Sequence, residues 1–398
     1  MTNFVVAGGV YRERCSWPYW DQVYGSGGRA AAAVAEMAFP VTLRTYAATE
    51  VAAHFQSYAQ MYGFDFVPEP APQRITFDYV HPLSVPVIRP ALVQISALPP
   101  LLVEGKTVLR FGMLEGTARV SANTCVYDPQ SAFSPEQFSA NGSRAERLAV
   151  VANRSEILAM GRAENIIAAA QSIISAEKAE VVVVKCGAEG ATIVHRDGAV
   201  ETVPAYRSDG AFTIGSGDVF AATFAACWGV EGRIAAEAAN LASLAVSDYV
   251  GTRALPSRSP QQLEASSRIE LVAQPGEVYL AGPFFSMSQR WLIEEAKHCL
   301  SDVGMTVFSP FHDIGPGPAG EVAPADIAAL ERCDVVFAVL EGLDSGTLFE
   351  VGYARALGKP VYGFAQTVAY EDLKMVIGTG CIVHADFTTA IHHLAWRA

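Results

Sequence analysis

Short apolar runs rich in Val alternate with Ala-rich stretches along most of the 398-residue chain. The runs "NFVVAGG", "VTLRTYAA" and "VVVVKCG" are typical of strands, and "GRAAAAVAEMAF" and the stretches 164–177 and 233–249 are typical of helices. Because "VVVVKC" has no polar face, it indicates a central strand that is covered on both sides. Strand–helix alternation of this kind predicts a mainly parallel α/β sheet.

A second, shorter α/β series begins near residue 276. The strand-like runs "EVYLAGPF", "MTVFSP", "DVVFAVLEG" and "PVYGF" alternate with the helix-like runs "QRWLIEEAKHCLSDVG", "PADIAALERC" and "GTLFEVGYARALG". Between the two series, residues 251–276 are rich in Pro, Ser, Gln and Arg, which is typical of a linker or a domain edge. We therefore predict a first α/β domain over 1–262, a linker over 263–275 and a smaller doubly wound domain over 276–398.

Composition and charge narrow the class of protein and of partner. Half of the residues are apolar (51%) and 17% are charged, which excludes a disordered or fibrous chain. A net charge of −13 without a basic run argues against a nucleic-acid partner. The seven Cys residues are scattered and show no zinc-like spacing, and the N-terminal apolar run is too short for a signal peptide or a membrane span. We expect a cytoplasmic protein with reduced thiols that acts on small molecules, away from membranes.

A glycine turn directly before a helix marks the candidate chemistry of the first domain. In "FTIGSGDVFAATFAACW", the turn Gly215, Ser216 and Gly217 leaves the first N–H groups of the helix free to hold an anion. Asp218 follows at once, where it could accept a proton from a hydroxyl that attacks a phosphorus atom. A structural role is the alternative, because glycines form turns and an Asp is favoured at a helix N-terminus by the helix dipole.

This segment resembles the signature of the ribokinase-like (PfkB-type) carbohydrate kinases. Three further pieces resemble that family's motifs in the same order, over roughly 1–260: "CVYDP" with Asp128, "ANRSEI", and "VKCGAEGATIV". The resemblance implies phosphoryl transfer to a hydroxyl that depends on ATP and Mg²⁺. Asp218 would be the base, and Gly215 to Gly217 would form the anion hole.

The same resemblance assigns the remaining cofactor-binding positions of the first domain. Asn153 and Glu156 would help to place magnesium and phosphate, with Glu156 acting on the metal indirectly. Gly187 and Gly190 would form the turn beside the ATP site.

The acceptor side of the first domain departs from the family pattern. Phe212 stands where the family usually has an Asp, and Ala stands where an Asn is expected after Gly27 and Gly28. The Asp near the N-terminus that usually binds sugar hydroxyls in this family is also missing from "VVAGGVYRERC". Either the acceptor differs from a simple sugar, or the domain no longer phosphorylates anything.

Four side chains of the second domain are expected at one edge of its sheet, because ligands of open parallel sheets bind at the carboxyl ends of the strands. Tyr279 lies in the first strand, Asp326 in the helix before "CDVVFAVL", Asp344 in the turn after that strand and Glu350 further along the next helix. Glu350 has apolar sequence neighbours, and the pattern indicates a helix that is largely covered. This carboxylate therefore needs a polar partner or a functional role. The alternatives are a surface carboxylate favoured by the helix dipole for Glu350 and a plain helix N-cap for Asp344.

These stretches closely resemble the nucleoside 2-deoxyribosyltransferase-like family over about 275–398. The resemblance implies that Glu350 attacks the anomeric carbon of the sugar and holds it as an ester. Asp344 would pass a proton to the leaving base, and Asp326 would share that work or hold sugar hydroxyls. By the same resemblance, Tyr279 orients Glu350, and Gly346 lets the backbone approach the substrate.

The segment "GPFFSMSQR" supplies the other predicted substrate contacts of the second domain. Comparable polar positions in the hydrolase branch of the family bind a 5′-phosphate, which makes a nucleotide substrate as plausible as a nucleoside. For Arg290, an ordinary solvated helix charge is the alternative. The predicted contacts are Gly282, Pro283, Ser286, Ser288 and Arg290.

Three hypotheses follow for the whole chain. The first is an enzyme of nucleoside or nucleotide metabolism that joins an N-glycosidase or transferase domain to an ATP- and Mg²⁺-dependent kinase-like domain. The second keeps the glycosidase active and makes the kinase-like domain a silent structural or nucleotide-sensing module. The third is a non-catalytic nucleotide-binding protein. Family members of the C-terminal type are oligomers, so we expect at least a homodimer.

Overall fold

The chain divides into two compact units, the first ending at Leu271 and the second beginning at Val272. A computed structural model describes residues 4–131 and 134–397. The predicted linker 263–275 spans this division and includes the end of a short helix, Pro260–Glu264. No helix in the described ranges is both long enough and apolar enough to cross a membrane.

A mainly parallel sheet forms the centre of the first unit. Its strands, as far as the structure describes them, follow the order β13-β12-β11-β10-β9-β8-β1-β4-β5, and only β12 and β13 run antiparallel to their neighbours. A separate four-stranded sheet has the order β3-β2-β6-β7. The strands of this unit are β1 Phe4–Ala7, β2 Arg12–Cys15, β3 Trp20–Val23, β4 Val41–Ala47, β5 Asp65–Pro70, β6 Thr76–Tyr79, β7 Val87–Arg89, β8 Leu101–Phe111, β9 Ala118–Asp128, β10 Arg144–Asn153, β11 Val181–Lys185, β12 Ala191–His195 and β13 Val200–Val203.

Helices cover both faces of the larger sheet. The valines of β11 show this directly, because Val181 and Val183 belong to one hydrophobic cluster while Val182 and Val184 belong to the other. All four are buried, as the apolar run predicted. The helices of this unit are α1 Gly25–Ala33, α2 Thr49–Tyr62, α3 Arg154–Gly161, α4 Ile166–Glu177, α5 Ser216–Phe224, α6 Ala235–Thr252 and α7 Pro260–Glu264.

The second unit is a five-stranded parallel sheet in the part of the chain that is described, with the order β15-β14-β16-β17-β18. The predicted mainly parallel α/β fold with a smaller doubly wound domain is confirmed. Its elements are β14 Glu277–Ala281, α8 Met287–Asp302, β15 Thr306–Phe308, α9 Pro310–Asp313, α10 Ala319–Arg332, β16 Val335–Val339, α11 Ser345–Ala356, β17 Val361–Phe364, α12 Lys374–Gly378, β18 Ile382–His384 and α13 Phe387–Ala395.

Two features of the fold differ from the sequence pattern. The helix expected to begin at Pro324 begins at Ala319, and Pro324 lies inside it. Pro324 is the sixth residue of this helix and has no N–H, so the backbone bond that an N–H there would donate to Gly320 is missing. The four-stranded sheet was not predicted, because its strands are only three or four residues long and half exposed.

Candidate functional sites

A tyrosine and a glutamate meet at the carboxyl edge of the second sheet. Tyr279 lies on β14 and is fully buried, and its hydroxyl donates a hydrogen bond of 2.6 Å to Oε1 of Glu350 on α11. The sequence separates the two residues by 71 positions. The contact therefore depends on the parallel pairing of β14 with β16, which leads directly into α11.

Burial and neighbouring carboxylates change the acid–base behaviour of Glu350. Burial raises its pKa to about 7, the hydrogen bond from Tyr279 lowers it, and the charges of Asp326 and Asp344 raise it further. The carboxyl group therefore titrates near neutral pH, unlike a solvated glutamate. Perturbed carboxyl groups of this kind cluster at functional sites.

Asp326 and Asp344 lie near Glu350 in different settings. Asp326 on α10 is half-buried, burial raises its pKa, and its Oδ1 has no hydrogen-bond partner among the described residues. Asp344 is the N-cap of α11, since its Oδ2 accepts bonds from the backbone N–H (2.9 Å) and the hydroxyl (3.1 Å) of Thr347. The capping role proposed as the alternative for Asp344 is thus present, and it holds the helix that carries Glu350.

The expectation that α11 is largely covered was wrong. Its buried face is narrow and consists of Thr347, Val351 and Ala354, whereas Phe349 is 64% exposed. Glu350 lies at the border of that face. The helix turns Glu350 toward Tyr279 and leaves its apolar sequence neighbour Phe349 in solvent.

The predicted phosphate-binding residues surround the start of α8. Ser286 caps this helix in a capping box with Gln289, and the hydroxyls of Ser286 and Ser288 are 3.0 Å apart. The Nε–H of Arg290 donates to the carbonyl oxygen of Phe284 at 2.9 Å, and its guanidinium lies 5.5 Å from the ring centre of Phe311. Arg290 is exposed, and these two contacts hold its guanidinium near the start of α8.

The other predicted contacts of this unit are backbone positions. Gly282 is a packing position, because a Cβ there would meet the side chains of Ile293 at 2.6 Å and Val339 at 2.9 Å. Pro283 follows it and is buried. Gly346 is an exposed residue in the first turn of α11, and a Cβ there would lie 3.1 Å from Oδ2 of Asp344.

The sequence reasoning missed an aromatic group beside this site. The rings of Phe284 and Phe311 lie 5.3 Å apart, and Phe284 also stacks on Phe285. The consecutive aromatic residues in "GPFF" and the single one in "SPFHD" were the available signal.

The raised pKa of Glu350 predicts a pH-dependent stability of the second unit. The folded pKa of Glu350 (about 7) exceeds the ordinary value of 4.5. The stability that the protonated carboxyl group contributes to the second unit is therefore fully present below pH 4.5 and is lost as the pH rises through 7. With allowance for partial exposure, ionisation costs about 2 kcal/mol at pH 8. We expect Glu350→Gln to slow hydrogen exchange across Ser345–Ala356 relative to the wild type at pH 8 but not at pH 4.5. Equal differences at the two pH values would contradict this.

The first unit contains a cavity of about 450 Å³ at the carboxyl ends of β9, β10 and β11. Asp128 and Lys185 end two of these strands and form a buried ion pair at 2.6 Å. Burial raises the pKa of Asp128, and the charge of Lys185 opposes this rise. The other wall of the cavity comes from the four-stranded sheet, which contributes Phe77 and Tyr79.

The predicted anion hole lies in this cavity. Gly215 precedes α5 with a φ of +81°, a conformation that favours glycine, and a Cβ there would lie 2.2 Å from the guanidinium of Arg29. A Cβ on Gly217 would lie 3.3 Å from Nζ of Lys185. The N–H of Ser216 donates to the carbonyl oxygen of Thr213 at 3.1 Å, so Gly215 and Gly217 supply the candidate anion-binding N–H groups beside the lysine.

Asp218 is bound by the protein on both of its oxygens. Nη1 of Arg29 donates to Oδ2 at 2.8 Å, and the amide of Gln130 donates to Oδ1 at 2.6 Å. Arg29 is 1% exposed and also forms a two-pronged ion pair with Glu13. The sequence reasoning missed Glu13, Arg29 and Gln130, although a lone charge in the Ala-rich helix α1 was the kind of signal that singled out Glu350.

Asn153 and Glu156 serve the local backbone. They form a capping box at the start of α3, in which Oε2 of Glu156 accepts from the N–H of Asn153 at 2.9 Å. Oε1 of Glu156 accepts from the N–H of Ser131, also at 2.9 Å. A role for Glu156 in magnesium binding would therefore be indirect.

The glycine turn predicted beside the ATP site follows β11. Gly187 lines the cavity and has a φ of +60°. Gly190 has a φ of +80°, and a Cβ there would lie 1.9 Å from the carbonyl oxygen of Val203. Gly190 is thus required by the packing of the turn, and Gly187 is the one that faces the cavity.

Comparison with protein families gives each of the two α/β units a relative. Residues 126–258 match the pfkB family carbohydrate kinase model, and residues 278–385 match the nucleoside 2-deoxyribosyltransferase model. Both resemblances stated from the sequence motifs are confirmed. The chain thus combines a PfkB-type kinase domain with a nucleoside deoxyribosyltransferase-like domain.

The solved ribokinase structure from Arabidopsis thaliana supports the fold of the first unit. Ribokinase from Arabidopsis thaliana, complexed with ribose and ATP, is 16% identical, with a TM-score of 0.50 over 67% of this chain and 100% of that chain. Ribokinase from Thermotoga maritima is 15% identical, with a TM-score of 0.47 over 67% and 99%. Among curated proteins, an uncharacterized protein of Schizosaccharomyces pombe is 33% identical over 110 residues, or 23% of this chain. The match spans about half (52%) of that relative's length.

Proposed function

We propose that the second unit cleaves the N-glycosidic bond of a nucleoside or nucleotide, with Glu350 as the nucleophile. The observation that carries this proposal is the hydrogen bond of 2.6 Å from Tyr279 to Glu350 at the carboxyl edge of the sheet. A carboxylate held by a buried donor has one oxygen oriented and the other available for attack. The match to the deoxyribosyltransferase family supports the same reaction class.

The proposed reaction has two steps. A carboxylate oxygen of Glu350 bonds to the anomeric carbon as the bond from that carbon to the base nitrogen breaks. The leaving base receives a proton from Asp326, whose raised pKa and unpaired Oδ1 support this role. Water or a second base then attacks the same carbon and releases the Glu350 carboxylate.

A 5′-phosphate is the proposed anchor of the substrate. Ser286, Ser288 and the N–H groups at the start of α8 form a polar edge, and Arg290 supplies a positive charge beside it. Helix N-termini with hydroxyls and an arginine suit phosphate oxygens. We therefore propose that nucleotides are cleaved faster than the corresponding nucleosides.

The test is to incubate the protein with a panel of nucleosides and 5′-nucleotides and to separate the products by chromatography. We expect free base from at least one substrate, and base exchange when a second base is added if transfer is the reaction. No base release from any member of the panel would overturn the proposal.

Replacing Tyr279 with phenylalanine tests how Glu350 is held. Loss of the donated hydrogen bond removes the contact that lowers the pKa of Glu350, so the acidic limb of the pH–rate profile should move to higher pH. We expect base release at pH 7 to fall about tenfold, because less of the carboxyl is ionised and its orientation is lost. Tyr353→Phe is the control, since Tyr353 lies on the same helix as Glu350 but its hydroxyl bonds to Glu331 on α10. An unchanged pH profile in Tyr279→Phe would contradict the assignment.

We propose a second function for the first unit, where the N–H groups of Gly215 and Gly217 and Nζ of Lys185 suit the phosphates of ATP. The N–H of Ser216 is engaged by the carbonyl oxygen of Thr213. Mg²⁺, when bound, would neutralise charge on these phosphates, and Glu156 would act on it through water because both of its oxygens accept backbone N–H groups. Asp218 would take the proton of the acceptor hydroxyl. In the observed geometry both of its oxygens are engaged, so we infer that transfer is slow unless the exposed Gln130 is displaced.

Measuring ATP consumption with nucleosides and sugars as acceptors tests this second function. We expect ATP to bind and turnover to stay below about 1 s⁻¹, the lower end of ordinary enzyme rates. Any turnover should be abolished in Asp218→Asn. Rapid ATP consumption that requires Asp218 would show that the contacts with Arg29 and Gln130 do not prevent Asp218 from accepting a proton.

A further inference from the structure

The cavity of the first unit has one aromatic wall. Phe77 and Tyr79 come from β6 of the four-stranded sheet, and Tyr11 lies just before β2. The rings of Tyr11 and Phe77 lie 5.4 Å apart at an angle of 39°. Phe77 and Tyr79 are half-buried, so the aromatic side of the cavity remains accessible.

The carboxylates on the floor of this cavity are already bound within the protein. Glu13 accepts from Arg29 through both oxygens and from the N–H of Gly25 at 3.1 Å. Asp218 accepts from Arg29 and Gln130. The hydroxyl of Tyr11 donates to Glu115 at 2.6 Å.

A sugar with several hydroxyls is a poor match for such a surface. Each hydroxyl brings a donor and acceptor capacity that must be satisfied when it leaves water. Glu13 and Asp218 are directed at Arg29, so sugar hydroxyls would depend on other polar residues of the lining, such as Gln130 and Asn153. Aromatic rings, by contrast, favour the flat face of a nucleobase.

One polar atom in the cavity does call for a ligand. Ser26 lines the cavity and is 5% exposed, and its Oγ has no hydrogen-bond partner among the described residues. A buried hydroxyl without a partner is costly unless a ligand or water satisfies it. A nucleoside, which carries ribose hydroxyls and polar base atoms, can supply the partner that this hydroxyl lacks.

We propose that this cavity binds a nucleoside, with the face of the base on the rings of Tyr11, Phe77 and Tyr79 and a polar atom of the nucleoside on Oγ of Ser26. The inference rests on the proposed function, because the placement of phosphates at Gly215 to Gly217 leaves the aromatic wall for the second ligand. The cavity volume of about 450 Å³ lies in the range of small-molecule sites. Both units of the chain would then recognise nucleosides or their phosphates.

Calorimetric titration of the full-length Glu350→Gln protein with adenosine, uridine and ribose tests the proposal without substrate being consumed. In this Glu350→Gln protein, we expect the additional substitution Phe77→Ala to weaken nucleoside binding at the first unit about tenfold or more, because stacking of the base on one ring is removed. Phe77→Leu keeps the apolar volume and should show the same loss if Phe77→Ala fails to fold. Ribose should bind at least tenfold more weakly than either nucleoside.

Tyr19→Ala is the matched control, because Tyr19 is 75% exposed and does not line this cavity. Hydrogen exchange locates the ligand: nucleoside should protect Thr76–Tyr79, and Phe77→Leu should abolish that protection. Equal nucleoside affinities with and without Phe77→Leu, or ribose that binds as tightly as the nucleosides, would overturn the proposal. Failure of the glycosidase proposal would appear separately, as absent base release by the wild-type protein.

Discussion

Substituting Glu350 with glutamine is expected to reduce base release at least a thousandfold. The amide has the same shape and keeps a hydrogen-bond acceptor for Tyr279, but it cannot form the glycosyl ester or offset positive charge on the sugar ring. A thousandfold loss corresponds to about 4 kcal/mol of transition-state stabilisation. The measurement is the initial rate of base release at pH 8, where the wild-type carboxyl, with its pKa of about 7, is mostly ionised.

A second glutamate serves as the control that separates the loss of a catalytic group from the general effect of removing one negative charge. Glu321 lies exposed in the first turn of α10, the helix that also carries Asp326. Glu321→Gln should leave the rate of base release within twofold of the wild-type rate. If Glu350→Gln keeps more than a tenth of the wild-type rate, Glu350 is not the nucleophile.

Substituting Arg29 with methionine is expected to destabilise the first unit by about 3–5 kcal/mol, since it leaves two buried carboxylates without a counter-ion. Glu13 and Asp218 are only 5% and 7% exposed, so water would solvate their carboxylates poorly once the guanidinium is removed. Methionine retains most of the apolar stem, which limits the loss of packing. Denaturant unfolding followed by hydrogen exchange of the first unit measures the change.

Two controls separate the buried charge from other effects. Arg147→Met removes an arginine whose partner Glu180 is 41% exposed, and a surface pair of this kind contributes at most about 1 kcal/mol. Adding Glu13→Gln and Asp218→Asn to Arg29→Met should recover part of the lost stability, because the buried negative charges are then removed. If Arg29→Met and Arg147→Met have equal effects, Arg29 is not neutralising buried charge.

The candidate site of the second unit was largely predictable from the sequence. Tyr279, Asp326, Asp344 and Glu350 fall on or just after elements with strong local patterns, and a parallel sheet brings the ends of such elements together. The exposure of Phe349 was not predictable, because it depends on which narrow face of α11 packs against the sheet. Consecutive residues of a helix point about 100° apart, so they can lie in different environments.

The cation at the centre of the first site was much harder to predict. Arg29 joins Glu13 on a short strand to Asp218 on α5, and no local pattern links these positions. The four-residue strand that holds Glu13 has weak periodicity, and its pairing with β6 depends on long-range contacts. Motif spacing therefore pointed to the candidate anion-binding turn but not to the residues that hold its aspartate.

The contact between Arg29 and Asp218 also bears on how the protein is made. It joins residues 189 positions apart, so the loop that it closes is among the slowest kind to form during folding. During synthesis, the helix that carries Arg29 emerges long before Asp218. Until Asp218 is synthesised, Arg29 has only Glu13 as an ion-pair partner. The N-terminal cavity therefore becomes complete only after Asp218 has been synthesised, past the middle of the chain.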